Sequence, residues 1–128
     1  MGALANRAGR CAAVGPLTGQ RPPAVIADGA ASAHQRWTVA AERTLRAGGL
    51  CLEVAGLGTA NGTLVQLGPC TGASAQQWYR YATPAGQLLI NYRVGRCLEV
   101  PSGTPPAGTQ LQLWDCNGSA LRQFWTLP

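Results

Sequence analysis

The chain has 128 residues, of which 46% are apolar, 12% charged and 6% aromatic, and its formal net charge is +5. This length fits one domain, the apolar share is too high for a disordered chain, and no stretch approaches the roughly 18 apolar residues of a membrane span. All ten basic residues are arginines, spread from Arg7 to Arg122 without a cluster, so a nucleic-acid partner is not expected.

Short strands separated by turns are the predicted local structure. Seventeen Gly and nine Pro interrupt the chain without a collagen-like period, which favours strands and turns over helices. Near the C-terminus, alternate positions are apolar, at Leu98, Val100, Leu111 and Leu113. This period of two predicts strands whose leucines face the core, while the intervening side chains, Glu99 among them, face outward.

A repeated unit organises these strands. A Gln-any-Trp triplet occurs at 35–37, 76–78 and 123–125, at intervals of roughly 40 residues. Each triplet is preceded by a related cysteine motif, at 9–14, 49–54 and 95–100, and the last two units share a second cysteine at equal spacing. We therefore predict three copies of one unit, at about residues 1–41, 42–86 and 87–128, closed as a three-fold barrel within a single domain.

With their Cys-Leu-acid-Val and Gln-Leu-Trp-Asp-Cys motifs, these units resemble the ricin B-type lectin domain over almost the whole chain, from roughly Leu4 onward. The resemblance implies an all-β fold of the β-trefoil type. It also implies a non-catalytic carbohydrate-binding module like the xylan- and galactose-binding modules of bacterial secreted enzymes. The expected ligands are galactosides or xylan-type polysaccharide, with no cofactor or metal, and an attached catalytic domain in a longer parent chain is expected.

The five cysteines indicate disulfides and an oxidising compartment. The repeat register matches Cys51 with Cys70 and Cys97 with Cys116. Cys11 has Gly29 where its partner would stand, so it is either a buried thiol or a site of intermolecular pairing. We expect secretion, as is usual for the family. Because residues 1–13 lack the apolar core of a signal peptide, the chain is expected to be a domain of a larger secreted protein or a mature form with an added methionine.

The four tryptophans divide into two groups. The triplet residues Trp37, Trp78 and Trp125 repeat with the units and are expected in the core. Trp114 belongs to no triplet and shares the outward parity of Gln112. Its ring either offers a platform on which the apolar face of a sugar stacks, or covers the side of the barrel.

By resemblance, the third unit carries the binding site, at Glu99, Gln112, Trp114, Arg122 and Gln123. If the two cysteines of this unit lie directly opposite each other on antiparallel strands, Glu99 faces Trp114 and sets a charged acceptor beside the ring. Two positions depart from the family pattern, which prefers Asp at Glu99 and Asn at Arg122. The arginine is a donor-only cation that is able to pair with Glu99.

The other two units are poorer. The second keeps the polar residues of a weaker site, at Glu53, Gln66 and Gln76, but has Gly68 in the aromatic position and Ala75 in place of Asn. The first has Ala13, Val25 and Ala27 at the corresponding positions and is expected to serve the fold only.

An enzymatic function is not expected. Glu53 and Glu99 are equivalent positions of different units, too far apart for the roughly 5–10 Å of a glycosidase carboxyl pair. His34 has no evident nucleophilic partner and is expected on the surface or in a turn. The alternative to a lectin-like module is a degenerate β-trefoil that serves as a structural or protein-interaction appendage.

Overall fold

The computed structural model describes residues 2–16, 21–29, 35–102, 105–118 and 122–128, so the expectation for His34 lies outside the described residues. Short 3-10 helices occur at Ala41–Arg43, Ala55–Leu57 and Ser74–Gln76. The strands within these ranges are β1 (Ala5–Asn6), β2 (Arg10–Val14), β3 (Ala24–Asp28), β4 (Thr38–Val39), β5 (Leu45–Ala47), β6 (Leu50–Val54), β7 (Val65–Gly68), β8 (Trp78–Thr83), β9 (Gly86–Asn91), β10 (Cys97–Glu99), β11 (Gln112–Trp114) and β12 (Trp125–Thr126). No helix in these ranges has the length and apolar character to cross a bilayer.

Every strand pairing within the described ranges is antiparallel, and most join strands that are consecutive in the chain. One sheet has the order β11-β10-β9-β12-β1-β2-β3, with β8 paired to β9, and the other has the order β4-β5-β6-β7. Isolated bridges such as Pro23 to Gln66 and Leu64 to Gln112 join the hairpins of successive units. The all-β prediction is confirmed, and the hairpins β2–β3, β6–β7 and β10–β11 repeat one arrangement.

The cysteine hairpins share one register, which differs from the expected one. Cys97 lies opposite Trp114, and Glu99 lies opposite Gln112. The expectation that Glu99 faces Trp114 is therefore wrong by two residues. Cys116 lies beyond the end of β11, so the disulfide joins a strand to the following loop rather than two directly opposed strand residues.

The predicted disulfides are both present. The bonds Cys51–Cys70 and Cys97–Cys116 have the same Cα–Cα distance of 5.1 Å. Cys11 is a buried free thiol, which was the first of the two alternatives expected for it. Burial raises the pKa of this thiol. The matching cysteine geometry in two hairpins shows that the repeat register extends to the loops after β7 and β11.

The triplet tryptophans form the centre of the core, as predicted. All three are almost completely buried. Each indole N–H donates to the carbonyl of the residue that follows the first cysteine of its unit: Trp37 to Ala12, Trp78 to Leu52 and Trp125 to Leu98. Burial of a ring and satisfaction of its one polar group account for the repetition of tryptophan at this position.

On β10 and β11 the apolar positions behave as predicted, but two of the intervening positions do not. The apolar positions, Leu98 and Val100 among them, are fully buried. Cys97 and Glu99, expected to face outward, are buried as well. They lie on the outer side of the strand, but the disulfide and the buried Gln123 side chain cover them. Glu99 therefore lies on the predicted side of the strand, but it is covered rather than exposed.

Candidate functional site

A buried carboxylate lies at the centre of the predicted third-unit site. Glu99 is 1% exposed, and both of its oxygens accept hydrogen bonds. Oε2 accepts from Nε2 of Gln112 at 2.8 Å, and Oε1 accepts from Nε2 of Gln123 at 3.2 Å. Two neutral amide donors thus balance the burial of this charge.

Gln123 ties the loop after β11 to the hairpin. It is fully buried. Its Nε2 donates to the Asp115 carbonyl at 2.8 Å, and its Oε1 accepts from the backbone N–H groups of Asn117 and Gly118 at 2.9 and 3.2 Å. Because every polar atom of this amide is occupied by the protein, its geometry is that of a positioning residue.

Trp114 is the exposed aromatic side chain of the site, 38% accessible. It lies two positions from Gln112 on β11, so both side chains lie on the same face of the strand. One edge of the ring meets Gly62, where a Cβ would lie 3.9 Å from Cζ3. The exposure agrees with the prediction of an accessible ring.

Polar contacts between Asp115, Asn61 and Arg96 hold the loop of Gly62 against this edge. Arg96 forms an ion pair with Asp115. The Asn61 amide donates to the Asp115 carboxylate at 3.1 Å, and the Asn61 oxygen accepts from the backbone N–H of Asp115 at 2.8 Å. The second unit therefore builds one wall of the third-unit site.

Arg122 is exposed at the end of the site. Its backbone carbonyl accepts from the N–H of Val100 at 2.8 Å. Within the described ranges its side chain forms no ion pair with Glu99, so it leaves the carboxylate to the two glutamines.

The second unit repeats the amide–carboxylate cluster and adds a cation. Oε1 of Glu53 accepts from Gln76 and Oε2 accepts from Gln66, both at 2.8 Å, and Oε2 also forms an ion pair with Arg21. Burial alone would raise the pKa of Glu53, but the bonds from Gln76, Gln66 and Arg21, together with the charge of Arg21, lower it. The three predicted residues are brought together on a surface pocket of about 370 Å³.

Arg21 occupies the space of the missing aromatic ring. A Cβ on Gly68 would overlap both the Arg21 guanidinium and the Glu53 carboxylate. Matching backbone bonds show the equivalence of the loops: Leu67 donates to Pro22 as Leu113 donates to Thr63, so Arg21 corresponds to Gly62. In the third unit the large Trp114 thus faces the small Gly62, from the loop of the preceding unit. In the second unit the small Gly68 faces the large Arg21.

Sequence reasoning missed Arg21 because no local signal marks it. Its partner is 32 positions away. Only an alignment of the loop before β3 with the loop before β7 could have found it, and that loop differs in length and composition between units.

The first unit has a different surface at the equivalent positions. Ala13 and Val25 are opposite each other, and Cys11 is opposite Ala27, in the register of the other hairpins. A hollow of about 410 Å³ here is lined by Ala13, Val14, Gly15, Pro16, Val25, Ala27 and Gly108. None of these side chains carries a hydrogen-bonding group, which agrees with the expectation of a structural unit.

The chain matches a known protein family over nearly its whole length. The family described as the ricin-type β-trefoil lectin domain matches residues 1–127. No curated protein matches the chain in sequence.

Solved structures show the same fold. The designed three-fold symmetric protein ThreeFoil has 18% identity and a TM-score of 0.86, with 99% of this chain and 98% of that chain covered. The agglutinin of Abrus precatorius has 26% identity and a TM-score of 0.79, with 97% and 46% covered.

A non-toxic homologue of type II RIPs from Momordica charantia, solved with α-methyl-D-galactoside, has 21% identity and a TM-score of 0.80, with 97% and 45% covered. The chain spans less than half the length of these two plant proteins. The β-trefoil prediction is confirmed.

Proposed function

Since the chain belongs to the family of ricin-type β-trefoil lectin domains, we propose that it is a non-catalytic module that binds galactose- or xylan-type sugars, mainly through its third unit. Domains of this family are in general carbohydrate-binding modules without catalytic activity. The observation that carries the proposal is the exposed Trp114 ring beside the Gln112–Glu99 hydrogen bond.

Trp114 and Gln112 are the proposed contacts with the sugar. The indole face stacks on the apolar face of the pyranose, and the hydroxyls need a few fixed polar partners. Glu99 engages one N–H of the Gln112 amide, which leaves its carbonyl oxygen and second N–H for the ligand. Arg122, exposed at the edge, supplies further donors.

Glu99 and Gln123 are proposed to hold these contacts in place. Both are buried and bonded to each other. A binding group whose orientation is fixed by buried hydrogen bonds loses less entropy when the ligand arrives. Binding therefore depends on Glu99 through the orientation of Gln112.

The second unit is proposed as a weaker site. It retains Glu53, Gln66 and Gln76, but Arg21 occupies the space in which a stacking ring would lie. With one complete site, the module lacks the avidity of a multivalent lectin, and we expect dissociation constants of about 0.1–10 mM.

The setting of the module is part of the proposal. The two disulfides support an extracellular location, where ricin-type lectins with such bonds are typically found. We propose that the module tethers an attached catalytic domain of a longer parent chain to a glycan or polysaccharide.

One observation favours the alternative of a degenerate β-trefoil that acts as a structural or protein-interaction appendage. Two of the three units lack an aromatic platform, with Ala27 and Gly68 in its place. This alternative predicts no saturable sugar binding at any unit.

Titration of tryptophan fluorescence with galactose, lactose and xylo-oligosaccharides tests the proposal. The parent protein should give a saturable response that Trp114→Ala abolishes and Gln112→Ala weakens. Tyr81→Ala is the matched control, because Tyr81 is an exposed ring on another strand and its removal should leave binding unchanged. Absence of a saturable response to every sugar in the parent would eliminate the lectin function.

A further inference from the structure

The excess positive charge of the chain is concentrated by the fold. Of ten basic residues, Arg10, Arg21 and Arg96 form ion pairs with acids in the described ranges. Four of the others line two neighbouring pockets: Arg43, Arg80, Arg36 and Arg46. Arg36, Arg43 and Arg46 are close in sequence, and the fold brings Arg80, from a later strand, beside them, so the sequence alone did not show the four together.

Arg43 is held on an aromatic pair. Its guanidinium carbon lies 5.1 Å from the ring centroid of Tyr79 and 5.8 Å from that of Tyr92. The two rings are 5.0 Å apart and tilted by 37°. A guanidinium stacked on rings keeps its N–H donors free in its own plane, and the described part of the chain offers Arg43 no hydrogen bond or ion pair.

The backbone presents Arg43 in an uncommon conformation. Glu42 and Arg43 both have left-handed dihedrals, with φ of 61° and 59°. Consecutive non-glycine residues in this region are strained and persist where surrounding contacts determine them. The Glu42 carboxylate is directed towards Gly72, 3.2 Å from where a Cβ of that residue would lie, and Glu42 does not line the pocket.

The pocket beside Arg43 has about 280 Å³ and contains a second cation. Arg80 lines it with Val39, Ala40, Leu45, Trp78 and Tyr79. A second pocket of about 350 Å³, which shares Ala40 with the first, is lined by Arg36 and Arg46. No carboxylate lines either pocket, and neither contains a residue of the third-unit cluster.

We propose that the Arg43–Arg80 pocket binds the carboxylate or sulfate group of an acidic carbohydrate, at a site separate from Trp114. The anion lies between the two guanidinium groups, where bidentate, charge-assisted hydrogen bonds form. Arg36 and Arg46 extend the same charge for a neighbouring acidic residue of the chain. This inference rests on the proposed function in taking the ligand to be a carbohydrate.

Calorimetric titration with galacturonate, glucuronate and galactose 6-sulfate tests the proposal, with galactose as the neutral arm and inorganic sulfate and phosphate as simple-anion arms. At about 20 mM NaCl, an acidic sugar should bind with one-to-one stoichiometry, more weakly at about 200 mM NaCl. Arg43→Gln and Arg80→Gln should each weaken it about tenfold or more. Trp114→Ala should leave this binding intact.

Arg7→Gln is the charge-matched control, because Arg7 is an exposed arginine that lines neither pocket. Near-ultraviolet circular dichroism confirms that each variant is folded. Equal weakening by Arg7→Gln, or equally tight binding of inorganic sulfate or phosphate, would overturn the acidic-carbohydrate site. If galactose binds through Trp114 and no acidic sugar binds at Arg43, this inference fails while the proposed function stands; if no sugar of either kind binds, both fail.

Discussion

The first unit lacks only the side chain of a second cysteine, at Gly29, to form a third disulfide. Gly29 follows Asp28, whose carbonyl accepts from Gln35 at 2.9 Å, as the carbonyls before Cys70 and Cys116 accept from the corresponding glutamines. A Cβ on Gly29 would lie 3.4 Å from Sγ of Cys11. Gly29 does not have a positive φ, so a side chain is accommodated there.

We predict that Gly29→Cys forms a disulfide with Cys11. The bond would close a loop of about 18 residues and stabilise the protein by about 3 kcal/mol in the chain-entropy model. For a chain of 128 residues, this corresponds to a rise in Tm of about 10 °C. Joining the two thiols removes two protons and two electrons, so an oxidant must be supplied. Because burial raises the pKa of the Cys11 thiol in the folded protein, the oxidant should be present during folding, while the thiol is still accessible.

Thiol titration and calorimetry measure the outcome. The parent protein should show one free thiol after unfolding without reductant, and Gly29→Cys should show none. Gly29→Ser is the matched control, because it adds a side chain of similar size without the bond. If the bond forms and the Tm equals that of Gly29→Ser, the chain-entropy reasoning is refuted; if two free thiols persist after oxidative folding, the equivalence of the loops is refuted.

Three further outcomes are expected. Trp78→Phe removes the donor to the Leu52 carbonyl and part of the core volume, and should lower the free energy of unfolding in urea by about 2–3 kcal/mol. The pKa of Glu53 is lowered in the folded state, so its ionised form stabilises the fold above the unfolded pKa of about 4.3. The difference in free energy of unfolding between the parent and Glu53→Gln should therefore shrink as the pH falls from about 6 to about 3. In the double variant Arg21→Gly with Gly68→Trp, loss of the ion pair lets the Glu53 carboxylate move away from the new Cβ, and the calorimetric stoichiometry for galactosides should rise from one to two.

Each of these outcomes has a contradicting result. Unchanged urea stability of Trp78→Phe would mean that the indole bond contributes nothing net. A stability difference for Glu53→Gln that is constant with pH would contradict the lowered pKa. If Gly68→Trp alone folds as well as the double variant, Arg21 does not occupy the platform space.

The repetition in the sequence was enough to predict the fold. Three Gln-any-Trp triplets specify three buried rings, and the cysteine motifs that precede them specify the carbonyls to which those rings donate. These contacts join residues of the same unit at nearly constant separations, and such separations are visible in the sequence.

The site was predicted less completely because it depends on contacts between units. The register of β10 and β11 was misplaced, since a disulfide was assumed to mark directly opposed residues and Cys116 lies past the strand end. The burial of Glu99 depends on the return of Gln123 from a distant segment. Arg21 and Arg43 acquire their roles only when loops and strands from different parts of the chain meet.

The exchange of large and small residues between platform and loop bears on how binding sites are lost and regained in such a repeat. Trp114 faces Gly62, whereas Gly68 faces Arg21, so a ring at position 68 requires a change at position 21 as well. Once the arginine is in place, a single substitution back to tryptophan meets a steric overlap, and loss of the second site is difficult to reverse. Ala27 faces Gly108, and no such overlap would meet a ring at position 27. What the first unit lacks for a binding site is polar side chains rather than space.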